Sequence, residues 1–203
     1  MRKQLKIKIF YMKPLIILFF IIISLQSWTK ADDIRDFEIE GISVGDSALK
    51  FFSIDHINKN SYTYPGDDKF KRIQSDNLPF FKLYDAVDFT IKKNDQKFKI
   101  YSLNGILIFK HELINQCYDK MHLIEEDMDR MFSDLKKWPK RSYKHRNDKS
   151  QKSIVTDIEY EFKNGDMVRL VCYDYSEEYS NNDHLAVNIS TNEYKQWLIN
   201  EAY

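Results

Sequence analysis

The sequence predicts an α+β protein, an antiparallel sheet with helices packed on one face, on three observations. Apolar residues at helical and at alternating spacing fall in the order helix, three strands, helix, three strands, helix. Turn-forming pairs, Asn94-Asp95, Asn104-Gly105 and Asn164-Gly165, separate neighbouring strands. The strand-helix-strand alternation that builds parallel sheets is sparse. The order suggests a duplicated unit of one helix and three strands, although no residue-level repeat supports it.

Taken in order, Phe37 to Glu40 reads as a short strand. Gly41-Ile42-Ser43-Val44-Gly45 then turns into a helix that starts near Asp46 or Ser47 and carries Leu49, Phe51, Phe52, Ile54 and Ile57. Residues 60 to 79, with Pro65-Gly66, Asp67-Asp68 and Leu78-Pro79, read as a long surface loop. Strands follow at about 83 to 92, 97 to 103 and 106 to 109. The segment 111 to 135 carries the strongest helical signal. At 100° per residue, Leu113, Cys117, Met121, Ile124, Met128, Phe132 and Leu135 share one stripe, opposite Glu126. Each apolar side chain buried there is worth roughly 1.5–3 kcal/mol before entropy is subtracted, which makes this helix the expected organiser of the core. Trp138-Pro139 ends it.

Residues 136 to 152 hold eight Lys or Arg and one Asp and read as a basic loop. Alternation returns in Ile154, Ile158, Tyr160 and Phe162 and, past Asn164-Gly165, in Val168, Leu170 and Cys172. A polar loop, 174 to 184, leads to a strand with Leu185, Val187 and Ile189. Ser190-Thr191-Asn192-Glu193 fits a capping box for a last helix with Tyr194, Trp197 and Leu198.

The chain has 203 residues with 31 basic and 31 acidic side chains, but the charge is unevenly spread. The first 31 residues carry six positive charges and no acid, with the apolar run Leu15 to Leu25 and a Thr29-Lys30-Ala31 junction. That is the pattern of a signal peptide over 1–31, cleaved near Ala31, with Met12 as an alternative start. A membrane span needs ~20 apolar residues, more than this run supplies, so an uncleaved anchor is the lesser alternative. The expectation is a single α+β domain, 32–203, exported to the periplasm or secreted. Without the leader, 25 basic residues face 31 acidic ones, which argues against nucleic acid as a partner.

Export favours disulfides, and the two cysteines, Cys117 and Cys172, each fall on an apolar face, so a bridge between them is expected. Two buried thiols are the alternative. With no cysteine near the leader junction, lipid attachment there is excluded.

Helices set against an antiparallel sheet are similar in architecture to small periplasmic domains of the beta-lactamase-inhibitor-protein-like fold. The stretch Ala31-Asp32-Asp33-Ile34-Arg35-Asp36-Phe37-Glu38-Ile39-Glu40-Gly41-Ile42-Ser43-Val44-Gly45-Asp46-Ser47, with Glu193-Tyr194-Lys195-Gln196-Trp197-Leu198, resembles a family of small, uncharacterised exported proteins of AT-rich marine bacteria. That resemblance spans 32–203 and implies no activity and no site residue.

Chemical motifs are few. Gly41-Ile42-Ser43-Val44-Gly45 matches the nucleophile-elbow string, but no earlier strands precede Ser43 to form the sheet such an elbow sits on. His111-Glu112 begins a zinc-protease string that fails at Asn115. His122 faces water near Glu125 and Glu126, and His56, His145 and His184 lack ligand spacing. Asp174, Glu177, Glu178 and Asp183 could gather oxygen around Ca²⁺, but the sharp-turn glycine of a hand-type loop is missing. No catalytic residue, metal or cofactor is assigned. The basic loop is the most informative polar feature. Lys140, Arg141, Lys144 and Arg146 are candidates for an anionic partner, membrane phosphate or acidic protein, against the alternative of a connector neutralised by the acidic C-terminal third. Two classes remain: a non-catalytic exported binding or structural module, which is favoured, and a small exported hydrolase or ligand-processing enzyme whose site forms only in three dimensions.

Overall fold

The computed structural model describes residues 33–66, 69–76, 78–179 and 181–202; the expected leader lies outside them. Among the described residues, a 3-10 turn, Ile34–Asp36, precedes a two-stranded hairpin, β1 (Glu38–Ile39) and β2 (Ile42–Ser43), and a short helix, α1 (Ile54–Lys59). Four strands follow: β3 (Ser61–Thr63), β4 (Phe70–Asp76), β5 (Ala86–Lys92) and β6 (Ile100–Phe109). The long helix α2 (Ile114–Met131) leads to β7 (Lys136–Lys144), β8 (Ile154–Glu161), β9 (Met167–Asp174) and β10 (Asp183–Ser190), and α3 (Asn192–Asn200) closes the chain. Strands β3 to β10 form one antiparallel sheet in the order β3-β4-β5-β6-β10-β9-β8-β7. The fold class is therefore α+β with an antiparallel sheet. Each half of the sheet is a four-strand meander, and the halves meet where β6 pairs with β10. A helix-plus-three-strand duplication is not confirmed.

Alternation decides which face each side chain takes. Ile73 of β4, Phe89 of β5 and Leu103 of β6 share the core face with Leu185, Val187 and Ile189 of β10 and with Val168, Leu170 and Cys172 of β9. Ile57 of α1 and Cys117, Met121 and Met128 of α2 complete this main core. Helices α1 and α2 and the β1–β2 hairpin cover this face. Helix α3 differs from the expected placement, because its Tyr194 and Trp197 pack on Phe70, and Phe70 points to the side opposite Ile73. Most of that second face is left open.

The stripe expected on the long helix is present, with Cys117, Met121, Met128 and Phe132 buried. The helix itself is shorter than 111–135: a 3-10 turn over His111–Leu113 precedes it, and its last backbone bond runs from Phe132 N–H to the Met128 carbonyl. Cys117 and Cys172 are bonded, with Cα atoms 6.1 Å apart, and both are fully buried. The bridge joins α2 to β9. The first expected helix divides into a 3-10 turn, Ala48–Lys50, and α1, because the Ser53 side chain accepts the His56 N–H and starts a new helix. In α3 the cap is Thr191, one residue past the Ser190 of the expected capping box, and its side chain accepts the Tyr194 N–H.

Three segments depart from the sequence reading. The surface loop at 60–79 contains β3 and β4, whose Phe70 and Ile73 are fully buried. Asn104-Gly105 is not a turn but lies inside the ten-residue β6. Gly105 is required there for space, since a Cβ would come within 2.6 Å of the Tyr84 ring. Gly105→Ala should therefore cost about 1–3 kcal/mol by forcing that ring aside, read as a lower denaturation midpoint at unchanged slope. The basic loop is the third departure, because 136–144 is the edge strand β7 with all nine residues exposed. Exposure on both faces erased the alternation that marks a strand. Lysines and Pro139 suit an edge, and the register shifts between Trp138 and Arg141, where the proline falls.

Candidate functional site: the open face of the sheet

The open face is built from the residues that alternate with the core. Neighbouring strands set Gln74, Asp88, Asn104, Asn188, Arg169 and Glu159 opposite one another in a single row. At about 4.8 Å per strand the row runs about 24 Å across β4 to β8. Its middle is a hollow of about 260 Å³. Tyr64, Tyr194 and Leu198 stand on one side, Tyr173 and His184 on the other, and Asp88, Asn104 and Asn188 lie between. The walls are fixed by their own contacts. Tyr64 and Tyr194 share a hydroxyl hydrogen bond of 2.6 Å, and the His184 ring stacks on Tyr173 at 4.5 Å. His184 Nδ1–H donates to the Asn182 carbonyl at 3.0 Å, and burial pushes the pKa of this imidazole down.

Asp88 is 1% exposed and faces the hollow. One carboxylate oxygen accepts from the Arg72 guanidinium, while Oδ1 has no hydrogen-bond partner. Burial raises its pKa, and the opposing pull of Arg72 does not restore the ordinary value. A raised folded pKa means that the charged form costs stability above it and that protonation recovers the cost as pH falls through it. Asp88→Asn lacks this titration, so its stability relative to the wild type should fall on acidification; thermal melts from pH 7 to pH 3 check this. Beside Asp88, Asn188 Nδ2 donates to Asn104 Oδ1 at 2.8 Å and to Ser102 Oγ at 3.1 Å.

Toward β7 the row ends in a charge cluster around Asp157, which is fully buried. Arg141 Nε donates to Asp157 Oδ1 at 3.0 Å, Arg169 Nε to Oδ2 at 2.9 Å, and the Tyr143 hydroxyl to Oδ2 at 3.0 Å. Arg141 also reaches Glu159 at 2.7 Å. On the other side of β7, Lys137 and Lys140 each meet Glu125 of α2 at 2.8 Å. Of the four residues expected to meet an anionic partner, Lys140 and Arg141 are thus engaged within the chain. Lys144 is exposed at the end of β7, and Arg146 is exposed in the turn that follows.

The other motifs resolve simply. Gly41 (φ +77°) and Gly45 (φ +96°) turn the β1–β2 hairpin and its exit, so the elbow string is not a strand-to-helix turn. His122 pairs with Glu126 at 3.5 Å, and His56 Nε2 lies 2.7 Å from Ser75 Oγ. His145 packs among Tyr173, Tyr175 and Tyr179. Asp174 and Asp183 of the polar loop weighed for Ca²⁺, a reading the sequence did not favour, come together with His111, their ligand atoms within 4.8 Å of one another. Asp183 is already engaged there, by His111 at 3.0 Å and by the Tyr175 N–H at 2.6 Å.

The polar floor of the hollow, Asp88, Asn104 and Asn188, did not stand out in the sequence. The signal that could have found them was the complement of the apolar alternation: Asp88 and Thr90 in β5, Asn104 in β6, Asn188 and Ser190 in β10 are polar residues on central strands. No family model, curated protein or solved structure matches the chain.

Proposed function

We propose that this protein is an exported, non-catalytic binding module whose ligand sits in the hollow of the open sheet face. The observation that carries the reading is Asp88: a buried carboxylate with one oxygen unpartnered, at the floor of a hollow walled by tyrosines. The disulfide supports export, and no helix among the described residues is long and apolar enough to cross a membrane. His184, flat against Tyr173 with its Nδ1–H committed to a carbonyl, serves as a wall, which favours binding over the hydrolase alternative. A thermal-shift screen with a small-molecule library tests the reading. Compounds that stabilise the wild type should lose their effect in Ala186→Trp, where the new ring fills the hollow. Hits that stabilise both proteins equally, or no hits, would overturn it.

A second reading, an anionic partner at β7, is favoured by the exposure of the whole strand and by its five basic residues. Replacing Lys140, Arg141, Lys144 and Arg146 with Ser should weaken retention on anionic vesicles and flatten its salt dependence. Unchanged retention would remove this reading.

A further inference from the structure

We infer that the ligand of the hollow is a small, neutral, polyhydroxylated molecule of about monosaccharide size; this rests on the hollow being a ligand site. The charges around it are already balanced within the chain. Arg72 pairs with Asp88, Arg169 with Asp157, and Lys195 with Glu161 at 3.3 Å. An anion would approach the buried Asp88 carboxylate without a cation of its own, and a cation would approach Arg72 and Arg169 without a free anion. Either would surrender hydration without full compensation. A hydroxyl group both donates and accepts and brings no charge.

The unengaged polar atoms fit such a ligand. Asp88 Oδ1 needs a donor. Asn188 spends its amide hydrogens on Asn104 and Ser102, which leaves its own Oδ1 as an acceptor. Asn104 receives through its oxygen and keeps its amide N–H groups to donate. Acceptors and donors thus alternate along one row, as neighbouring hydroxyls on a ring would require. Tyr173, stacked on His184, and Tyr194, packed on Phe70 and Trp197, hold the two sides of the hollow in place around such a ring. At about 260 Å³ the hollow sits just below the ~300–1,000 Å³ range of sites for drug-sized ligands, which suits a single ring.

The test is an amide chemical-shift titration of the folded protein with glucose, N-acetylglucosamine and myo-inositol, against glucuronate, glucosamine and inorganic phosphate. At least one neutral probe should give saturable shifts at Asp88, Asn104 and Asn188, with the charged probes about tenfold weaker or more. Asp88→Ala should weaken the neutral probe by about tenfold or more, and Asn188→Ala, in a half-buried position, provides a second variant should the first fail to fold. Tighter binding of glucuronate, phosphate or glucosamine would overturn the neutral ligand while leaving the hollow a binding site. Absence of saturable shifts with all six probes would overturn the inference outright, with water then satisfying Asp88; the library screen above decides separately whether the hollow binds anything.

Discussion

Replacing Cys117 and Cys172 together with alanine should lower the unfolding free energy by about 4 kcal/mol, the chain-entropy value for closing a 55-residue separation. For a chain of this size that corresponds to a fall in melting temperature on the order of 10 °C. The bridge ties α2 to β9 across the covered face, so its loss frees the unfolded chain across α2, β7, β8 and the hairpin into β9. Both sulfurs are fully buried, and reductant should therefore act only on molecules that have opened. The measurement is equilibrium denaturation of the oxidised wild type and the double variant at one pH. A difference below about 1 kcal/mol would show that the loop is already constrained in the unfolded ensemble.

Asp157→Asn should cost about 3 kcal/mol at neutral pH, because it leaves the guanidinium of Arg169 without its buried counter-charge. Burial works to raise the pKa of Asp157, but hydrogen bonds from Arg141 and the charge and hydrogen bonds of Arg169 outweigh it and hold the carboxyl below its ordinary value. The sign follows from that depression. The contribution is present above the unfolded value of about 3.9 and is lost as pH falls through the lower folded value. The gap between wild type and variant should accordingly be constant from pH 7 to about pH 5 and close below about pH 4. Arg141→Gln is the comparison: its side chain is half exposed, and its loss should cost about 1 kcal/mol or less. Equal losses in the two variants would show that the cluster acts through packing and not through the buried charge.

The α+β class, the long helix stripe, the Asn164-Gly165 hairpin, the helix cap near residue 191 and the pairing of Cys117 with Cys172 were legible in the sequence. Each rests on local signals: apolar spacing, a turn that needs positive φ, as at Gly165 (φ +83°), or a residue type whose burial its neighbours announce. Beyond these, the tertiary structure decided. Strand β7 was hidden because its partners, Glu125, Asp157 and Glu159, lie on other elements, so its charges alternate against acids that no local window contains. Asn104-Gly105 carries the composition of a turn, but Tyr84 packing onto Gly105 makes it the interior of a strand. The hollow depends on register. Asp88, Asn104, Asn188 and Arg169 come from both halves of the chain, and only the pairing of β5, β6, β10 and β9 sets them side by side. Local periodicity specifies which face a side chain takes, whereas which polar residues meet on that face is specified by strand order, a property of the whole chain.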